Sequence, residues 1–125
     1  TIVASGLMVA AGVIAHERLA REGIHVRVLD VGTIKPLDEE AILRAAEETG
    51  AIVAAEEHLI HGGLGARVAQ VVCSNRPVPM EFVGLDDTYA ESGDAAALLE
   101  KYGLTAEDVM SAVRRVIARR DGAKS

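Results

Sequence analysis

The sequence predicts an α/β fold in three layers, with a mainly parallel four-stranded sheet flanked by helices. Three observations carry this expectation. Short apolar runs alternate along the chain with longer segments whose apolar residues recur at helical spacing. Glycines stand where two of the helical segments should stop, at Gly23 and Gly50. Each helical segment joins two strand-like runs, and a crossover of that length makes the next strand parallel to the last.

Thr1 to Ser5 reads as a short buried strand ending at Gly6. Leu7 to Arg21 follows as a helix, with Leu7, Met8, Ala11, Ile14, Ala15 and Leu19 on a broad apolar face and Glu17, Arg18 and Arg21 opposite. Ile24 to Val31 alternates and then turns wholly apolar, as a second strand entering the sheet would, and Gly32 to Pro36 is its exit loop. Asp38 is placed to cap the next helix, and Glu39 and Glu40 lie in its first turn, where the positive end of the helix dipole favours carboxylates. Ile42, Leu43, Ala46 and Thr49 continue it to Gly50.

Ala51 to Glu56 is the third strand, and Leu64, Val68, Val71 and Val72 form one face of the helix after a glycine turn. Pro77 and Pro79 end that helix, because each lacks an amide donor and disfavours helix in the residue before it. Met80 to Leu85 is the fourth strand and Asp86 to Gly93 a polar loop. A short helix is expected from Asp94 to Tyr102, capped by Gly103. Thr105-Ala106-Glu107-Asp108 then has capping-box spacing, which predicts a separate last helix from Ala106 to about Arg119 with Val109, Met110, Val113, Val116 and Ile117 on its apolar stripe. The tail, residues 120–125, is expected to fray.

With 125 residues, half of them hydrophobic, the chain can bury one core, and a single domain over residues 1–125 is expected. The net charge of -6 and the even spread of basic residues exclude the electrostatic footprint of a nucleic-acid binder, and an anionic membrane would repel the chain. Gly12, His16, Glu17 and Arg18 break the first helix, so no apolar run reaches the roughly 18 residues that span a bilayer. No basic segment precedes the apolar start, as a signal peptide would require. Starting at Thr1 on a strand-like run, the chain reads as an excised piece. The lone Cys73 excludes a disulfide framework and is expected to be a small buried residue, and a cytoplasmic location follows. Phe82, Tyr89 and Tyr102 are the aromatic residues, so the core must be built from Ala, Val, Leu and Ile, and stacking platforms for bases or sugars are missing.

Chemistry is best sought in Glu56 to Val68, which leaves a strand at the sheet's carboxyl edge, where ligands and partner surfaces usually sit. His58 and His61, with Glu57 beside them, invite a metal reading. The glycines at 62, 63 and 65 start the helix after His61, however, so the histidines lie in an extended turn and no HExxH pattern exists. They read instead as polar residues at a strand exit or subunit contact. Gly62-Gly63-Leu64-Gly65 could aim backbone amides at an anion, but it lacks the Lys-Ser or Lys-Thr of a Walker loop and the GxGxxG of a dinucleotide site. Close packing of the helix on a strand or neighbouring chain is the simpler role for these glycines. Asp86, Asp87, Glu91 and Asp94 do not match an EF-hand, and Ser92 has no histidine at a fixed local spacing. Nothing local assembles an acid, a base and a nucleophile.

Five ordered motifs together are more specific. They are Val3-Ala4-Ser5-Gly6 with Met8-Val9; Thr33-Ile34-Lys35-Pro36-Leu37-Asp38; Glu56-Glu57-His58 with Gly62-Gly63-Leu64-Gly65; Asp87-Thr88-Tyr89-Ala90-Glu91-Ser92-Gly93; and Leu99-Glu100-Lys101-Tyr102-Gly103-Leu104-Thr105. Over nearly the whole chain this order resembles the C-terminal domain of transketolase, the split two-subunit kind included. The same domain type occurs in the β subunits of 2-oxo acid dehydrogenases and in deoxyxylulose-phosphate synthase, but Tyr89 to Gly93 is more like transketolase.

The resemblance implies transfer of a two-carbon ketol unit between sugar phosphates by the complete enzyme, with thiamine diphosphate and a divalent cation such as Mg. The family's Gly-Asp-Gly and paired-asparagine motif is absent here, so the resemblance assigns no catalytic, cofactor or metal residue to this chain. It implies a chain inactive alone that completes a dimeric assembly with N-terminal domains or a companion subunit. His58, His61, Gly62, Gly63, Gly65, Glu91, Ser92 and Gly93 are the candidate interface or anion residues. The family's antiparallel edge strand would precede Thr1 and is expected to be missing, which leaves four parallel strands in the order 2-1-3-4. A small-anion-binding regulatory module at Gly62 to Gly65 is the alternative from another class, and a stand-alone enzyme has the least support.

Overall fold

In the computed structural model, residues 1–6, 8–31, 37–56, 63–84 and 95–122 are described, the last segment with side chains from 105 onward. The elements run β1 (Ile2–Ala4), α1 (Met8–Arg21), β2 (Val28–Asp30), α2 (Glu39–Thr49), β3 (Ile52–Glu56), α3 (Leu64–Asn75), β4 (Met80–Gly84) and α4 (Ala95–Gly122). All pairings are parallel and the strand order is β2-β1-β3-β4, as the sequence predicts.

Alternation along the strands sends successive side chains to opposite faces. Ile2, Val53 and Ala55 join Met8, Ala15 and Leu19 of α1 and Val109, Val113 and Val116 of α4 in one cluster. Val3 and Ile52 join Ile42 and Ala46 of α2 and Leu64, Val68 and Val72 of α3 in the other. The sheet is therefore covered on both faces, which is why β1 and β3 are apolar almost throughout.

The helix ends follow from local chemistry. Beyond α1, Gly23 at φ 80° donates to the Ala20 carbonyl (3.1 Å) and Ile24 to the Leu19 carbonyl (2.9 Å), the paired bonds of a Schellman motif. Asp38 caps α2 by accepting from the Ala41 amide at 3.1 Å, and Gly50 closes it at φ 71°. The Arg120 guanidinium donates to the Thr49 carbonyl at 3.0 Å, a cation at the negative end of the α2 dipole.

Four expectations are corrected. β2 pairs over three residues rather than along Ile24 to Val31, because its partner β1 is itself only three residues long. Cys73 is exposed: α3 turns Leu64, Gly65, Val68, Val71 and Val72 to the sheet, and Cys73 lies about 100° round from Val72. Asp94 to Tyr102 and Ala106 to Arg119 are not two helices but parts of one continuous α4. Gly103 in a helix interior costs only about 1 kcal/mol, a break would unpair backbone groups, and Thr105 is buried in the helix instead of opening it as a cap. Arg120 to Gly122 are helical as well, with Arg120 tied to α2, while residues 123–125 lie outside the described residues.

Continuity of α4 has a direct consequence. Gly103→Ala should stabilise the chain by roughly 0.5–1 kcal/mol, since the helix needs no positive φ there. Urea unfolding checks it, and a loss of stability would restore the two-helix arrangement.

Glu81 ties β4 to α4 through Arg115 Nε at 3.0 Å and Arg119 Nη1, and Arg119 also donates to the Met80 carbonyl at 2.7 Å. The hydrogen bond from Arg115 is the largest influence and, together with the bond from Arg119 and the charges of both arginines, it holds the Glu81 carboxyl below the ordinary glutamate range against the opposing desolvation. A depressed carboxyl contributes stability above its unfolded pKa and loses it as pH falls through the folded one. Glu81→Gln should therefore flatten the acid limb of the stability profile. Because both arginines are more than half exposed, the loss at neutral pH should stay within about 1 kcal/mol. Unfolding midpoints between neutral and acidic pH measure it.

Candidate functional site

The sheet's carboxyl edge is built around the end of β3 and the start of α3. Gly63 is the N-cap of α3, and having no side chain it cannot satisfy the free amides of the first turn. Glu56, the last residue of β3, takes that task. One carboxylate oxygen accepts from the Leu64 amide at 2.8 Å and the other from the Gly65 amide at 3.1 Å. The side chain is nearly enclosed, with the residue 5% exposed. A buried carboxylate is tolerable here because both oxygens are hydrogen-bonded and the dipole of a 12-residue helix points its positive end at them.

Gly65 is where this arrangement is tightest. A Cβ there would lie 2.9 Å from Glu56 Oε1 and 3.0 Å from Phe82 Cδ1. Phe82, on β4 and 44% exposed, thus lies beside the helix start and has its other side open. Only a glycine lets the strand-end carboxylate, the β4 ring and the helix backbone meet at this separation.

Of the candidate residues, Gly63 and Gly65 fall in this cluster. His58, His61, Gly62, Glu91, Ser92 and Gly93 lie outside the described residues, as does the acidic loop of Asp86, Asp87 and Asp94. The role of Glu56 escaped the sequence reading, as did that of Phe82. A signal for Glu56 was present: a carboxylate at the end of an apolar strand, followed by a helix start whose residues offer no Ser, Thr, Asp or Asn as a cap.

Within the described residues, the Leu64 and Gly65 amides at the start of α3 are held by the chain's own carboxylate. No group of three or more His, Cys, Asp or Glu among the described residues could hold a metal ion, and no helix among them is long and apolar enough to cross a membrane.

Comparison with known proteins identifies the family. Residues 1–109 match the family described as transketolase, C-terminal domain. Over 121 residues, 97% of its length, the chain is 46% identical to the 6-deoxy-6-sulfo-D-fructose transketolase subunit SqwH of Clostridium sp. (strain MSTE9), of which it spans 38%. Over 122 residues, 96% of its length, it is 40% identical to 1-deoxy-D-xylulose-5-phosphate synthase of Pelotomaculum thermopropionicum, spanning 19% of that protein. A solved structure described as a split gene transketolase, inactive beta4 tetramer, superposes with a TM-score of 0.80 at 47% identity, covering 95% of this chain and 39% of the other.

Proposed function

The chain belongs to the transketolase C-terminal domain family, and from that premise we propose that it is the noncatalytic assembly domain of a thiamine-diphosphate-dependent transketolase. The complete enzyme transfers a two-carbon ketol unit between sugar phosphates. The observation that carries this reading is likeness along 97% of the chain to a transketolase subunit of which it spans 38%. The rest of such an enzyme, on N-terminal domains or a companion subunit, supplies the cofactor and its cation.

The described residues do not fit the diphosphate and cation. The α3 start is filled by Glu56, and no cluster of metal-ligating side chains accompanies it. What this chain contributes is an edge at which Glu56 of β3 and Phe82 of β4 both approach Gly65 of α3 closely. The assembly is a cytoplasmic homo-oligomer in this reading, and the tetramer named for the split-gene relative is in keeping with it.

Mixing the chain with its N-terminal companion and assaying ketol transfer tests the proposal. Activity should depend on this chain, which should be silent alone. A companion that is dimeric and fully active without it would overturn the reading. The 40% identity to a deoxyxylulose-phosphate synthase favours a second activity for the complete protein, and the same mixture distinguishes the two by whether 1-deoxy-D-xylulose 5-phosphate is the product.

An anion-binding regulatory module at Gly62 to Gly65 has less support. An incoming anion would have to displace a buried carboxylate from the Leu64 and Gly65 amides. A thermal-shift screen with phosphate, sugar phosphates and nucleotides decides it, because a true ligand at 100-fold excess over Kd contributes about 2.7 kcal/mol and must raise the melting temperature.

A further inference from the structure

The four-stranded sheet ends in two strands of different kind. β2 closes one side with three residues, and a strand that short offers another chain little to pair with. β4 closes the other side with five residues, Met80 to Gly84, among which Phe82 is largely exposed. A longer, partly apolar edge of this kind is a template for unwanted strand addition.

The register fixes which backbone groups face outward. Ile52 stands opposite Met80 and donates to the Pro79 carbonyl at 3.1 Å, so residues 79, 81 and 83 turn their backbone polar groups toward β3. Those of Met80, Phe82 and Gly84 turn away from it. Phe82 is the middle residue of β4, so this edge is complementary to itself: a second copy laid antiparallel about a twofold axis would set Phe82 opposite Phe82 and Met80 opposite Gly84. Each Met80 carbonyl would then have to accept from the Gly84 amide of the other copy.

That carbonyl is already taken. Arg119 Nη1 of α4 donates to it at 2.7 Å, and the same nitrogen donates to Glu81 Oε2 on the next residue of the strand. Arg115 holds the other oxygen of Glu81 at 3.0 Å. The guanidinium therefore stands where the amide of an added strand would come, and burying its charge against a neighbour would be costly.

We propose that Arg119 is an edge guard: held by Glu81, it occupies the outward carbonyl of Met80 and keeps β4 from pairing with β4 of a second copy. The guard is complete within one chain, and it stands whether or not the assembly reading above does.

The experiment follows the mass of the chain by light scattering as its concentration is raised, with the exchange rate of the Phe82 amide read by NMR in dilute and concentrated samples. Arg119→Ala should form species larger than the parent's, and its Phe82 amide should exchange at least about tenfold more slowly when concentrated than when dilute. Arg115→Ala removes a cation from Glu81 but leaves the Met80 carbonyl covered, and should match the parent in both readings. Adding Phe82→Lys to Arg119→Ala should restore the parent's mass, because like charges opposite one another oppose pairing. The proposal is overturned if Arg119→Ala keeps the parent's mass throughout, or if it grows without slowing Phe82 exchange, which would place the association on another surface. A parent whose own Phe82 amide slows with concentration overturns it too, since the edge would then pair despite Arg119. So does a dilute Arg119→Ala chain that has lost the parent's circular dichroism, since Arg119 would then serve the fold instead.

Discussion

Gly65→Val should destabilise the domain by roughly 3 kcal/mol or more. A Cβ at position 65 would already stand 2.9 Å from Glu56 Oε1 and 3.0 Å from Phe82 Cδ1, and valine adds two methyl groups to that space. The carboxylate can retreat only by giving up the Leu64 and Gly65 amides, which leaves buried donors unpaired at about 1–3 kcal/mol. Phe82 can swing toward solvent, which relieves part of the strain but opens the joint. Alanine should show the same sign with a smaller loss, because greater helix propensity offsets some of the clash. Chemical denaturation of the two variants beside the parent measures the effect, and a neutral Gly65→Val would mean that the joint is looser than its distances state.

Ile52→Ala should cost about 2–5 kcal/mol, and Ile52→Val about 0.5–1.5 kcal/mol. Ile52 is fully buried on β3, an interior strand, among Ile42, Ala46, Leu64, Val68 and Val72. Its backbone is fixed by the bond from its amide to the Pro79 carbonyl at 3.1 Å, so the strand cannot slide to fill the space. With almost no aromatic side chain available to rearrange, the vacancy stays open. Against a total stability of about 5–15 kcal/mol this is a large fraction. A urea midpoint that falls at unchanged slope is the expected result. A loss below that of a single surface substitution would show that the α2 and α3 side of the sheet repacks freely.

Both substitutions act on the same side of the sheet but on different functions of it. Ile52 holds the layers together, whereas Gly65 sets the spacing at the edge.

Local signals made much of this legible in the residues. Asp38 with Glu39 and Glu40, and the glycines at 23 and 50, marked helix ends because capping depends on neighbours a few residues apart. The parallel pairing followed from crossover lengths, and the order β2-β1-β3-β4 followed from the family resemblance. Local signals also misled. Gly103 and the Thr105 to Asp108 spacing looked like a helix stop and a new start, and the packing of Ala106, Val109, Ala112 and Val113 on the sheet keeps one helix through both. Cys73 fitted an apolar pattern in composition but falls on the solvent side of α3. At the candidate site, the glycines were recognised as permitting close approach, but not what approaches.

The sequence by itself determined the fold class, the helix ends at Gly23, Asp38 and Gly50, and the two-sided sheet, since each depends on periodicity or on contacts within one turn. Only the tertiary structure decided that the anion at the start of α3 is the chain's own Glu56, and that Gly65 is small because Phe82 of β4 stands over it. Those partners are eight to seventeen residues apart along the chain. Their meeting depends on how β3, α3 and β4 stack, which no local pattern encodes.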